Sequence, residues 1–339
     1  MTRSLSIIAI TASLASPLWA DAPVGFDRFD IQADHRAAPI AAGIWSPVGR
    51  ETYVARIGDN PVFVGVDAYI GAALPDQEMP LIVLSHGSGS SIDGTAWLAA
   101  GLAERGAMVV VLNHPGTTSG DSSPRRTVRL SERAADLSAA LDHVLADPYF
   151  ADRIDQDRIA ALGFSLGGST VLGIAGIQLD PVSYADYCDT FGEAAQDCLF
   201  LARGGVDFDR LPAEFSADMT DDRFARVVAV DPGFTYAATP ESAAEVAVPV
   251  QLVTLGDTFP WAAVDVRSEG SGLVDTLPQV DHAVIPDAHH FSFLPICTDI
   301  APMLLIEEGE DPICDDPEGW DRAQVHRASL DAIAAFLDL

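Results

Sequence analysis

The run Gly163-Phe-Ser165-Leu-Gly167-Gly168 sets a serine between glycines, after an apolar stretch ending at Phe164 and before a helix-like stretch from Leu166. That is the strand–turn–helix setting of a nucleophile elbow. A hydroxyl held on a sharp turn above a sheet collides with its neighbours unless they lack side chains, which explains Gly163 and Gly167. The helix that follows aims its free N–H groups and positive dipole end at the same point. Ser165 is therefore the candidate nucleophile, and the Leu166 N–H the first candidate donor to an oxyanion. In a chain with 27 glycines such a match arises easily by chance, so the flanking strand and helix carry the weight.

A serine nucleophile needs a base to take its proton and an acid to orient that base. In the chain order Ser, acid, His, the base follows the last strand, where the sequence reads Asp287-Ala-His289-His290-Phe-Ser-Phe293. Adjacent side chains of an extended segment point opposite ways, so one of the two histidines faces Ser165. His290 is preferred, with His289 packing or hydrogen-bonding beside it. Two aspartates end strands at suitable places. Asp231 begins Asp-Pro-Gly after Val227–Val230, and Asp257 follows Gly256 after Val250–Leu255. Asp231 is preferred, because the Pro-Gly turn fixes its direction and Asp257 follows its glycine too closely. Either is otherwise an ordinary turn aspartate. The second oxyanion donor is expected from the loop after an early strand, and His86-Gly-Ser88-Gly89 after Leu81–Ser85 offers the Ser88 N–H. His86 and His114 are expected to pack loops rather than act in catalysis.

Positioning these groups takes a sheet and its helices. Strands are expected at Val62–Tyr69, Leu81–Ser85, Ala107–Asn113, Arg158–Phe164, Val227–Val230, Val250–Leu255 and Ala283–Ile285. Several are continuous Val/Ile/Leu/Ala runs, the pattern of strands covered on both faces. Helices are expected over 131–146, with Ala134, Leu137, Leu141 and Val144 on one stripe, and over about 321–338. Alternating strands and helices imply an α/β fold with a mostly parallel sheet and helices on both faces. Residues 180–225 interrupt the alternation with aromatics and acids but no sheet strand. A segment that long has structure of its own, and it reads as a lid over the site. Phe164, Phe234, Tyr236, Trp261 and Phe291 flank the candidate residues and are expected to line an apolar pocket.

Composition bounds the setting. Nineteen basic against 50 acidic residues give a formal charge of −31, and every basic residue is Arg. Such a field excludes nucleic acid and anionic membrane surfaces as partners. Residues 1–20 read as a secretory leader, with a basic start, an apolar core too short to span a bilayer, and cleavage after Ala20. Residues 21–339 then form one domain, periplasmic or secreted, with no stable membrane insertion. The 4 cysteines fit an exported chain. Local pairing of Cys188 with Cys198 and Cys297 with Cys314 is the simplest of the three connectivities. Their spacing matches no zinc signature. The acidic run 307–316 lacks the alternation of a calcium loop and reads as a solvated face, so no metal or other cofactor is expected.

His86-Gly-Ser-Gly89, the run Ala107–His114, Ile154-Asp-Gln-Asp-Arg-Ile159 before the elbow, and Asp231 at its strand end together resemble the secreted platelet-activating-factor acetylhydrolases and their bacterial dienelactone-hydrolase-like relatives. The resemblance covers most of residues 60–295. It implies the α/β-hydrolase fold, metal-free serine carboxylesterase chemistry and the acid at the earlier strand, which is Asp231. Dienelactone hydrolases proper use a cysteine nucleophile where this chain has Ser165. The segments 180–225 and 297–314 also depart from the mammalian enzymes. The expected activity is hydrolysis of uncharged, short- to medium-chain esters. An amidase or peptidase with the same triad, and a non-catalytic binding protein of the same fold, are the alternatives. The second typically lacks the serine or histidine that this chain keeps.

Overall fold

Apolar runs with alternating partners set up the sheet. In the computed structural model, which describes residues 23–257, 261–317 and 319–339, ten strands pair into one sheet. They are β1 (Val24–Ile31), β2 (Ile40–Pro47), β3 (Val54–Ile57), β4 (Val66–Ile70), β5 (Met79–Ser85), β6 (Met108–Leu112), β7 (Ile154–Phe164), β8 (Arg226–Val230), β9 (Val250–Leu255) and β10 (Val280–Ile285). Their spatial order is β10-β9-β8-β7-β5-β6-β2-β1-β4-β3. From β6 to β10 every pairing is parallel. The N-terminal end differs: β2 is antiparallel to β6 and β1 to β2, β4 runs parallel to β1, and β3 is antiparallel to β4. The leader expected over residues 1–20 lies outside the described residues.

Helices α1 (Ala96–Glu104), α2 (Leu130–Ala146), α3 (Leu166–Ile174), α4 (Pro181–Phe191), α5 (Gln196–Arg203), α6 (Ala301–Glu308) and α7 (Arg322–Leu337) surround the sheet. Alternation along β5 shows how both faces are filled. Leu81 and Val83 pack with α2 and α3, while Ile82 and Leu84 pack with α1 and α7. Each such side chain, removed from water, contributes roughly 1.5–3 kcal/mol. No helix among the described residues is long and apolar enough to cross a membrane.

Two differences from the sequence expectation stand out. The strand expected from Val62 begins at Val66, because Asn60 Oδ1 accepts the N–H groups of Val62 and Phe63 at 2.8 and 2.9 Å and turns the chain there. The strands β1, β2 and β3, absent from that expectation, form the mixed edge. Residues 180–225 add no strand to the sheet; they fold into α4, α5 and short 3₁₀ turns. Cys188–Cys198 bridges α4 to α5, and Tyr184 and Tyr187 of α4 donate their hydroxyls to Asp197 of α5 at 2.8 and 3.0 Å. Cys297 is bonded to Cys314.

Candidate active site

Ser165 stands between β7 and α3 with φ 56° and ψ −117°, a conformation that side chains rarely adopt. Its neighbours enforce the strain. A Cβ on Gly163 would lie 2.0 Å from the Gly167 carbonyl oxygen, and one on Gly167 would lie 1.9 Å from that of Ser85. The Ser165 N–H donates to Val230 at 2.9 Å, and the Ser165 carbonyl accepts from Gly233 at 3.2 Å, so bonds to the β8 end fix the turn on both sides.

Strand β8 delivers Asp231 and the segment after β10 delivers His290. His290 Nε2 is 3.1 Å from Ser165 Oγ, and its Nδ1 is 3.0 Å from Asp231 Oδ2. Because a carboxylate accepts, the imidazole proton sits on Nδ1 and leaves Nε2 facing the serine hydroxyl. Asp231 is 1% exposed. Its other oxygen accepts the Leu255 N–H at 2.8 Å, so the carboxylate cannot rotate freely. Burial pushes its carboxyl up from the ordinary range, while the bonds from His290 and Leu255 pull it down. Asp257 is exposed beyond β9, where its carbonyl accepts from Arg267.

The tandem histidines divide as an extended segment requires. His289 turns away and places Nε2 3.0 Å from Asp316. Its Nδ1 accepts the Phe291 N–H at 3.3 Å, while its own N–H donates to Ser292, a reciprocal cap on the short helical turn that carries His290. Ser88 and Leu166 line the same cavity as Ser165 and His290. Among the described residues no acceptor engages either N–H.

That cavity encloses about 640 Å³. Its walls include Leu199, Phe200, Phe234, Trp261, Val264 and Phe291, and residues 193–203 of the 180–225 segment form one side. Two aromatics expected to line it stand behind it instead. Phe164 packs on the His290 ring at 4.7 Å between centroids, and Tyr236 stacks on Tyr187 at 4.2 Å. Below the loop that carries Ser88, the sequence reading missed Arg133 and Asp136. Both are buried on α2, and both flank its apolar stripe as charged residues three apart, which was the available signal.

Residues 82–295 match the family model described as the alpha/beta hydrolase family. No curated protein matches the sequence significantly. Among solved structures, a ferulic acid esterase from Streptomyces cinnamoneus is 18% identical, with a TM-score of 0.61 over 96% of this chain and 92% of that one. A proposed dienelactone hydrolase from Klebsiella pneumoniae subsp. pneumoniae is 11% identical, with a TM-score of 0.51 over 93% of this chain and 98% of that one. A proposed dipeptidyl aminopeptidase IV from Bacteroides ovatus is 12% identical at the same TM-score, and this chain covers 36% of it. At these identities the likeness is one of fold.

Proposed function

The chain belongs to the alpha/beta hydrolase family, and from that membership we propose that it is an exported serine ester hydrolase acting on uncharged, short- to medium-chain esters. One observation carries this reading: the Ser165 hydroxyl, strained on its elbow at a cavity, is hydrogen-bonded to His290, and His290 to the buried Asp231. In the proposed reaction Ser165 Oγ attacks the ester carbonyl carbon while His290 Nε2 takes its proton. The carbonyl π electrons move to the oxygen, where the N–H groups of Ser88 and Leu166 receive the charge. Collapse of this adduct breaks the C–O bond, and the leaving alkoxide takes the proton from His290. Water then repeats the attack on the acyl-enzyme and frees the acid. Asp231 keeps the His290 proton on Nδ1 and stabilises the imidazolium that forms.

The apolar wall supports uncharged substrates of limited length, and two disulfides support an oxidising compartment. The fold likeness to a ferulic acid esterase agrees with ester chemistry. Hydrolysis of p-nitrophenyl esters of increasing acyl length, with the matching anilides, tests the reading. Each methylene that fits should add up to about 0.8 kcal/mol, until the cavity wall stops the series. Ser165→Ala should remove at least about 10⁴-fold of turnover while leaving thermal unfolding unchanged. A folded Ser165→Ala protein that keeps most of its activity would end the serine hydrolase assignment.

A further inference from the structure

A second Ser–His–Asp chain lies beneath the cavity and never meets solvent. Ser85, His114 and Asp136 are each 0% exposed. His114 Nε2 lies 3.0 Å from Ser85 Oγ, and its Nδ1 lies 2.9 Å from Asp136 Oδ2. Arg36 grips the same carboxylate with Nε and Nη2 at 2.7 and 2.8 Å, and His35 Nε2 adds a contact at 2.8 Å. Arg133, 1% exposed, closes the other end. It donates to Ser85 Oγ and Thr170 Oγ1 at 3.0 Å each, and also to Thr117 and the His86 carbonyl. No substrate reaches Ser85, so the work of this chain is mechanical. It pins the end of β5, from which His86-Gly-Ser88 springs.

His86 continues that network upward. Its Nδ1 is 2.7 Å from the Gly87 carbonyl oxygen, and its Nε2 is 3.2 Å from the His114 N–H. A carbonyl only accepts and an N–H only donates, so the ring proton sits on Nδ1. The C=O and N–H of a trans peptide point opposite ways. A Gly87 carbonyl tied to the ring therefore turns the Ser88 N–H away from His86, and Ser88 faces the cavity with Ser165 and His290. The Gly87 carbonyl also accepts the Ser90 N–H at 3.2 Å, so the ring, at 2.7 Å, supplies the shorter of two ties in a loop where Gly87 lacks a side chain and Gly89 has φ +72°. A flipped peptide would aim a carbonyl oxygen at the developing negative charge.

Resting on the serine hydrolase reading above, we propose that His86 is a positioning residue for ester hydrolysis, its Nδ1–H holding the Gly87–Ser88 peptide so that the Ser88 N–H meets the oxyanion. Burial, with Arg133 and His114 beside it, keeps the ring well below the ordinary imidazole range, although Asp136 acts the other way. The tether thus stays neutral while the catalytic histidine cycles its proton.

Two isosteric substitutions separate positioning from space filling. An asparagine amide places a donor near the Nδ1 position, whereas a glutamine amide reaches the Nε2 position and leaves the Gly87 carbonyl to the longer Ser90 N–H bond alone. His86→Gln should lower kcat by more than about tenfold, up to the roughly 10²–10³-fold that loss of a whole oxyanion donor costs, with KM within about threefold. His86→Asn should cost less than about tenfold. Equal losses in the two variants, or a loss confined to KM, would overturn the proposal. Should either variant fail to fold, the unmodified protein decides. Its ¹⁵N spectrum should show the neutral His86 ring protonated at Nδ1 at neutral pH, and an Nε2–H tautomer would exclude the tether. Ser165→Ala reports on the hydrolase reading alone, because it leaves this ring and its tautomer in place.

Discussion

Asp231 shows how little freedom a single residue needs to lose for a site to be set. Its φ is 41°, its N–H is bound to Val253, and its two carboxylate oxygens are taken by Leu255 and His290. An amide at this position keeps the shape but favours the wrong histidine tautomer. Asp231→Asn should lower kcat/KM by roughly 10⁴-fold with little change in thermal stability. Asp257→Asn, on an exposed residue beyond β9, should change kcat/KM by less than about tenfold. Steady-state kinetics on one short p-nitrophenyl ester compares the two, and the reverse ranking would transfer the acid role to Asp257. Two strand ends and two aspartates were legible in the sequence. Which carboxylate meets the histidine depends on the parallel registry of β8 with β9, which no local pattern encodes.

At the scale of elements, the C-terminal segment positions the turn that carries His290. Arg322 of α7 donates to Asp316 at 2.9 and 3.0 Å, and to the carbonyls of Pro295 and Ile313. Asp316 in turn accepts from His289 and Ser292, which flank His290, and Cys297–Cys314 closes the intervening loop. Replacing both cysteines of that bond with serine should cost roughly 3 kcal/mol in urea unfolding. It should also lower kcat more than it raises KM, because the loosened turn carries the proposed base, His290, rather than the cavity wall. Removal of Cys188–Cys198 should act in the opposite sense, on KM and acyl-length preference, since residues 193–203 wall the cavity. If both removals change only stability, neither segment positions the site. The strands of the parallel side announced themselves as unbroken apolar runs. β1 did not, because the exposed Asp27, Arg28 and Asp30 break its apolar pattern at the mixed end of the sheet.

For the molecule as a whole, buried neutral histidines set the acid limit of stability. Burial lowers both His114 and His326 to about 4, and His86 shifts in the same direction. Above about pH 6.5 these rings are neutral folded or unfolded. Below it the unfolded chain takes up protons that the folded chain refuses, so each ring costs up to about 1.4 kcal/mol per pH unit down to its folded value. Against its burial, bonds from His114, His35 and Arg36 hold Asp136 below the usual carboxylate range, and this extends the loss to lower pH. Burial raises Asp231 and Asp197, whose contributions run the other way, favouring the folded state as pH falls through their raised folded values. Tm should therefore be level above about pH 7 and fall between about pH 6.5 and pH 5, a window in which most of the acidic residues remain charged. A Tm that holds or rises across that window would contradict this account. The charge of −31 should also make a neutral ester a better substrate than a size-matched carboxylate-bearing one, by a margin that shrinks with added salt. A preference for the anion, lost in Arg203→Gln, would instead make the one arginine lining the cavity among the described residues a binding group.

What the sequence alone determined are features that short-range chemistry writes locally. These are the glycines that leave room for an elbow, the apolar runs of a buried parallel sheet, and the chain order of the proposed serine, aspartate and histidine. The family follows from them. Tertiary structure decided what depends on distant partners. His290 lies 59 residues from Asp231 and 125 from Ser165, and only the sheet brings the three together. The tandem histidines differ in partner, one meeting Asp231 and the other Asp316. His86 and His114 read as loop-packing residues, and Arg133 and Asp136 did not stand out beside the helix stripe they flank. Their bonds become visible only when β5, β6 and α2 stack, because a buried hydrogen bond is specified by both partners and the residues between them say nothing of it.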